Sequence, residues 1–488
     1  MASDTTAPRL PIKVDPTSNG EFRPVPLTET VVRANALAAE RIDEHARRVG
    51  VARRTFLSSL CGAATTLLTL NEAFALAGNR GGGFRLPREG AFEPAAAESA
   101  LAGSEFIFDV QTHMVDPAGA WRENAGQYWE QILTYFPQHA CGERDPVDCF
   151  SAEQFIKHVF LDSDTLLAVL SFVPELPEQN PLSLEEAERM RVLVERLEGS
   201  SRLFLHAMVV PNAPAIEPLQ LMADVVDRYP IAAWKCYTQW GPDGVGWELD
   251  DPAVGIPFIE QARALGIRNI CIHKGLLFPG FPEEHGRCAD VGRAARLYPD
   301  MNFIVYHSGF ETGHPEGPYD PDRAERGIDV LIRSVEDNGI GANANVYAEL
   351  GSTWRFVMRD PTTAAHLLGK LLTHIGQDNV LWGTDSIWYG SPQDQIQAFR
   401  SFQIAPELID AHRYPELTPD LKAKVFGLNG ARVYGVEVPE RRQRTESDPI
   451  GVRKAAYRER AEPTFETFGP RTDQEYAALL AERDGLPA

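Results

Sequence analysis

The sequence predicts an α/β fold, a (β/α)8 barrel of the TIM type, and three observations predict it. From residue 105 onward, eight short β-rich runs alternate with helical patterns, the signature of βα units around a parallel sheet. These units occupy about 280 residues, which suits a closed barrel better than an open sheet. No run is followed by GxGxxG or a Walker loop, which counts against the doubly wound alternative.

The runs are EFIFDV (105–110), LLAVLSFV (166–173), LFLHAMVV (203–210), IAAWKCY (231–237), RNICIH (268–273), NFIVYH (302–307), NVYAELG (345–351) and NVLWGTD (379–385). Between them lie helical patterns. SLEEAERMRVLVERL opens with Ser183 and Glu186 in a capping-box relation, and DPTTAAHLLGKLLTHIG ends at a glycine.

Ahead of the barrel, residues 51–78 join Arg53 and Arg54, then Phe56 and Leu57, to a moderately apolar run and an AFA stop at 73–75. That is the layout of a secretory signal, and RRTFL resembles a twin-arginine export signal. The expected organisation is a leader over 1–78, a linker over 79–104, the barrel over 105–440 and a charged tail over 441–488. Use of the signal implies a periplasmic or exported protein handled by the export machinery for folded proteins. The other reading of the run is an amphipathic helix packed on the domain of a cytoplasmic protein.

At 488 residues with 43% hydrophobic and 9% aromatic content, the chain has ample material for a large core. A formal charge of -22, with no basic stripe, argues against nucleic acid and for a small-molecule substrate. A homo-oligomer is left open. No apolar run reaches the roughly 18 residues a bilayer-spanning helix needs. The six cysteines form no CxxC pair, and only Cys141 and Cys149 are close enough in sequence for a local disulfide.

In a parallel barrel the chemistry collects at the C-terminal strand ends. Here His113 follows strand one, Lys235 ends strand four, and His273, His307, Glu349 and Asp385 end strands five to eight. Imidazole and carboxylate are ligands for zinc and its borderline neighbours. Asp385 can ligate and also take a proton from water, and His307 can orient that water or stabilise developing charge. In FDVQTHMVD, strand alternation puts Asp109, Gln111 and His113 on one face. Asp109, deeper in the strand, is expected to accept a hydrogen bond from a ligand histidine.

The ordered set DVQTH, CIH, VYHSGF and WGTD, followed by LTPDLKAKVFGLNGARVYGV, resembles the amidohydrolase-related family of metal-dependent hydrolases. Within it the pattern is similar to the branch containing aminocarboxymuconate-semialdehyde decarboxylase. The resemblance spans about residues 105–436. It implies a distorted (β/α)8 barrel with one divalent metal ion, zinc or alternatively manganese or another ion, bound by the strand-one motif, His273 and Asp385, with His307 catalytic. The family usually has His-x-His or Glu-x-His where this chain has Gln111-Thr112-His113, so one ligand becomes a neutral amide oxygen, a weaker donor.

Lys235 has three readings: a carboxylated lysine bridging two metals, as in the larger superfamily, a cation for a substrate carboxylate, or a partner of Glu349. Trp240, His314, Trp354 and Trp388 lie in loops after strands four, six, seven and eight. They either line an aromatic substrate pocket or pack as core and lid. Three functions follow: a hydrolase acting on a carbonyl-class bond, a decarboxylase of an aromatic or unsaturated acid, and an exported binding protein with a decayed metal site. Retention of His113, His273, His307 and Asp385 together speaks against the third.

Overall fold

The computed structural model describes residues 9–124, 145–198, 201–213, 218–242, 244–465 and 467–484. All eight expected runs form strands of one parallel sheet in chain order: β1 (Phe108–Thr112), β2 (Leu167–Leu170), β3 (Leu203–Met208), β4 (Ile231–Tyr237), β5 (Asn269–His273), β6 (Asn302–Tyr306), β7 (Val346–Glu349) and β8 (Val380–Leu381). Backbone bonds bring the two ends together: Val110 N–H to the Trp382 carbonyl (3.0 Å), Asp385 N–H to that of Gln111 (2.9 Å) and His113 N–H to that of Ser386 (2.6 Å). The result is a nearly closed (β/α)8 barrel.

Two apolar cores sandwich the strands. Inside lie Val169, Ala233, Cys271, Ile304, Tyr347 and Leu381, and a larger core joins the outer faces to the helices. Side chains two apart share a strand face. Ala233, Cys271 and Tyr347, inside the barrel, therefore place Lys235, His273 and Glu349 on the same face nearer its mouth. The opposite end is shut by the helical segment VFGLNG (425–430), where a Cβ on Gly427 would stand 1.9 Å from the Phe106 carbonyl oxygen, so a larger residue cannot enter.

The helical signals read as expected. Ser183 Oγ accepts the Glu186 N–H (3.1 Å) at the start of Leu184–Glu198, and Asp360 caps Pro361–Lys370 through the N–H groups of Thr362 and Thr363.

Residues ahead of the barrel are folded onto it. Helices Glu29–Val49 and Leu60–Leu76 pack on each other, and Leu67, Leu70 and Phe74 of the apolar run are buried. Arg53 pairs with Asp43, while Phe56 of RRTFL is buried. Residues 79–104 contribute a strand, Gly82–Phe84, paired antiparallel with Phe402–Ile404, and a helix, Pro94–Leu101. Among the described residues no helix is long and apolar enough to cross a membrane.

Residues 9–23 and 467–476, near either end of the described chain, reach the barrel mouth. The strap of residues 9–23 is fastened by a buried Lys13–Asp394 ion pair (3.0 Å) and by Arg355 on Asp15 (2.8 Å). The C-terminal segment then covers the strap: Thr467 and Thr17 hydroxyls lie 2.8 Å apart, Ser18 N–H meets the Pro470 carbonyl (2.9 Å), and the Tyr476 hydroxyl donates to the Gly20 carbonyl (3.2 Å). The tail itself is tied to the barrel by a two-pronged Arg202–Asp448 pair, both bonds 2.7 Å. Cys149 is disulfide-bonded, its expected partner Cys141 lies outside the described residues, and Cys61, Cys236, Cys271 and Cys288 are free.

Two expected outcomes follow from buried charge. Arg202→Ala strands a buried carboxylate, which should cost about 3–5 kcal/mol and lower the urea midpoint accordingly; an unchanged midpoint would show that this pair does not hold the tail. His158 is fully buried with neither ring nitrogen hydrogen-bonded, and burial, then the charges of Lys157 and Lys13, lower its pKa to about 3. Asp162, 3.7 Å away, is instead bonded to Lys157 (2.6 Å). The unfolded chain takes up this proton near pH 6.5 and the folded chain does not, so the stability that His158 confers is intact above pH ~6.5 and is lost as pH falls toward the folded value. Urea midpoints measured from pH 7 to pH 4 should fall more steeply for the wild type than for His158→Leu.

Candidate metal centre

The β1–β8 seam builds the first half of the site. β1 changes register between Asp109 and Thr112, and the chain leaves β8 through a Gly-Thr-Asp turn. Asp109 braces that turn: it accepts the Thr384 N–H (3.1 Å) and hydroxyl and its own strand's Gln111 N–H (3.2 Å). Its carboxylate therefore holds the turn carrying Asp385 rather than a ligand histidine, contrary to the expectation from spacing. Burial raises its pKa to about 7. Asp385 Oδ1 lies 3.0 Å from both His113 Nε2 and Gln111 Nε2. Its Oδ2 accepts from the Ser352 hydroxyl (2.5 Å), which also meets the Tyr389 hydroxyl (3.0 Å).

The second half comes from β5 to β7. His307 Nδ1 is 2.8 Å from the Gly351 carbonyl, which makes it the protonated nitrogen and leaves a lone pair on Nε2. His273 Nε2 lies 3.5 Å from the Leu276 carbonyl. His307 Nε2 and His273 Nδ1 are 3.1 Å apart, a hydrogen bond when His273 carries its proton on Nδ1 and two facing lone pairs when it carries it on Nε2. Burial lowers the pKa of His307 to about 4 and that of His273 well below its ordinary value, so both rings are neutral at neutral pH. The neutral His273 ring has a lone pair for a cation in either tautomer.

Other features agree with a cation here. Gln111 Oε1 and His113 Nδ1 are buried with no hydrogen-bond partner. His307, Ser308, Ser352 and Asp385 all take positive φ values, between 53° and 62°, a strain that non-glycine residues adopt where the surroundings impose it. Burial would raise the Asp385 carboxyl, but the hydrogen bond and charge of His113 outweigh it and hold the group below the usual carboxylate range.

The strap supplies what the sequence reading missed. Glu21 joins His273 and His307 in a group whose ligand atoms all lie within 4.8 Å of one another. Asn19 Nδ2 bridges the two halves, 2.8 Å from Glu21 Oε2 and 3.4 Å from Asp385 Oδ2. Burial first, then the Asp385 charge, raise Glu21 to about 8. The only local signal was Asn19-Gly20, a turn dipeptide, and Gly20 does take a positive φ of 95°. Nothing in the sequence says where that turn docks.

The remaining candidates fall as follows. Lys235 is fully buried, its ammonium without a hydrogen-bond partner over the rings of Tyr306 (3.9 Å) and Tyr237 (4.5 Å), and burial lowers its pKa to about 8. Glu349 accepts the backbone N–H groups of His307 (3.2 Å) and Gly351 (2.5 Å), so its carboxyl supports His307. Trp388 stacks on His113 with ring centres 5.5 Å apart. Trp354 is core, donating to the Gln395 carbonyl (2.9 Å) against Phe399. Trp240 and His314 are half-buried.

The glycine of WGTD is demanded by this packing. A Cβ on Gly383 would stand 1.6 Å from Glu349 Oε1 and 3.1 Å from the Gln111 Cβ. Gly383→Ala should therefore displace Glu349 and with it His307, at a cost of about 1–3 kcal/mol from overpacking. Thermal melting and metal content together check this, and a variant that matches wild type in both would show the cradle to be slack.

No curated protein sequence matches the chain. Solved structures that resemble it include an uncharacterized TIM-barrel protein from Bordetella bronchiseptica, at 13% identity and TM-score 0.42 over 67% of this chain and 99% of that one. Another is the apo form of IDCase from Metarhizium anisopliae, at 15% identity and TM-score 0.39 over 68% and 97%. A third is an amidohydrolase 2 from Bifidobacterium longum subsp. infantis, at 16% and 0.34 over 68% and 100%. The family model described as amidohydrolase matches residues 182–436, a span that contains Lys235, His273, His307, Glu349 and Asp385. That match takes in more than half of the 488 residues, and the chain belongs to the amidohydrolase family.

Proposed function

We propose that the protein is a metal-dependent hydrolase in which water attacks a carbonyl-class bond of a small organic substrate. The observation that carries the reading is the gathering of His113, His273, His307 and Asp385 at one mouth, with His307 Nε2 3.1 Å from His273 Nδ1 and His113 Nε2 3.0 Å from Asp385 Oδ1. Gln111, His113, His273 and Asp385 would hold one divalent ion, zinc in the first instance, with manganese as the alternative. When bound, such an ion polarises a substrate carbonyl and lowers the pKa of water.

The chain's own residues divide the remaining work. Asp385 is ionised at neutral pH and accepts the proton of the attacking water. His307, its Nδ1 tied to the Gly351 carbonyl, offers Nε2 to orient that water. Trp388 keeps the His113 ring in place by stacking. His113, His273, His307 and Asp385 are each at most 2% exposed, so bulk water is kept from the reacting groups.

A second reading, decarboxylation of an aromatic or unsaturated acid, is favoured by Lys235. A buried ammonium lacking a hydrogen-bond partner suits a substrate carboxylate. Product analysis separates the two, since only decarboxylation releases carbon dioxide.

The test is metal analysis of the purified chain followed by a screen of lactones, amides and hydroxybenzoates. One divalent ion per chain is expected, with turnover abolished by chelation and restored by the ion. His307→Asn and Asp385→Asn should each lower kcat by about 10²–10⁴-fold. Turnover that survives complete metal removal would sink the proposal.

A further inference from the structure

We infer that Glu21 is a metal ligand, delivered by the N-terminal strap to make good the donor that strand one lacks. The inference rests on the metal-dependent reading above and adds a residue far in sequence from every strand end. Gln111 offers only a neutral amide oxygen and spends its NH2 group on Asp385 (3.0 Å), so strand one brings no anionic donor to the ion. Glu21 brings a carboxylate to the other side of the site, within 4.8 Å of the facing nitrogens of His273 and His307.

The position of Glu21 is built. An Asx turn sets the segment, with Glu21 N–H on Asn19 Oδ1 (3.1 Å), and Gly20 supplies the positive φ. Phe22, the next residue, is fully buried and packs edge-on against Phe356 at 4.8 Å. The Asn19 amide then stands between the Glu21 and Asp385 carboxylates, 2.8 Å and 3.4 Å away, and keeps both turned toward one space. Two carboxylates gathered beside the His273 and His307 imidazoles offer a mixed oxygen and nitrogen donor set for a divalent cation.

The experiment compares the full-length wild type with Glu21→Gln, Glu21→Ala, Gln111→His and the double variant Glu21→Gln/Gln111→His. Affinities for zinc and manganese ions are measured by competition with a chelator, and metal content after dialysis. Circular dichroism and thermal melting in chelator verify that each variant is folded. Glu21→Gln keeps the shape and the Asn19 contact, and it should weaken metal binding at least tenfold. The double variant should recover most of that loss, because a strand-one imidazole replaces the missing donor. Wild-type affinity in both Glu21 variants would overturn the role of Glu21 and leave the metal-dependent reading standing. A wild type that binds neither ion would overturn both. A Glu21→Gln loss that Gln111→His fails to rescue would overturn the compensation between the two positions.

Discussion

The site depends on the seam where the first strand meets the last. Asp109 is buried in that seam, and its carboxylate is bonded to the backbone and hydroxyl of Thr384 and to the backbone of Gln111. These bonds fasten the two strand ends, and the Asp385 N–H to Gln111 carbonyl bond extends the join by one residue. Without the seam, the ends of β1 and β8 would be joined only through the whole circuit of the barrel. A buried carboxylate is expensive to hold, and here three donors offset part of the desolvation, which still leaves the carboxyl raised to about 7.

The fold was legible because its signals are local and repeated. Each strand announced itself by a short β-branched or aromatic run, and the helix Leu184–Glu198 by its cap Ser183. Strand-end chemistry was legible for the same reason: a histidine directly after an apolar run has only one end of the barrel to occupy. Asp109 was misjudged because simple alternation ignores the register change in β1, which lets Asp109 turn to its neighbour strand. Trp354 was ambiguous until its indole N–H found a helix carbonyl.

Glu21, Asn19 and Ser352 were out of reach for a different reason. Their roles arise from docking, and docking is written in no periodicity. The strap holds a turn dipeptide and a few apolar residues, and its destination is set by Lys13, Asp15 and Phe22 finding partners that lie more than three hundred residues away in Asp394, Arg355 and Phe356. The same holds for the N-terminal helices, whose apolar run serves as interior packing in the folded chain.

The interleaving of the two chain ends bears on the order of assembly. Thr17 meets Thr467 across 450 residues of sequence, and Gly20 meets Tyr476 across 456. Contacts of such separation carry a large loop-closure entropy and form late. During vectorial synthesis the barrel strands can pair as they emerge, while the strap has nothing to cover it until the last helix is released. The cover over the strap, built from residues 467–484, is therefore made after every strand of the barrel, and the mouth closes last.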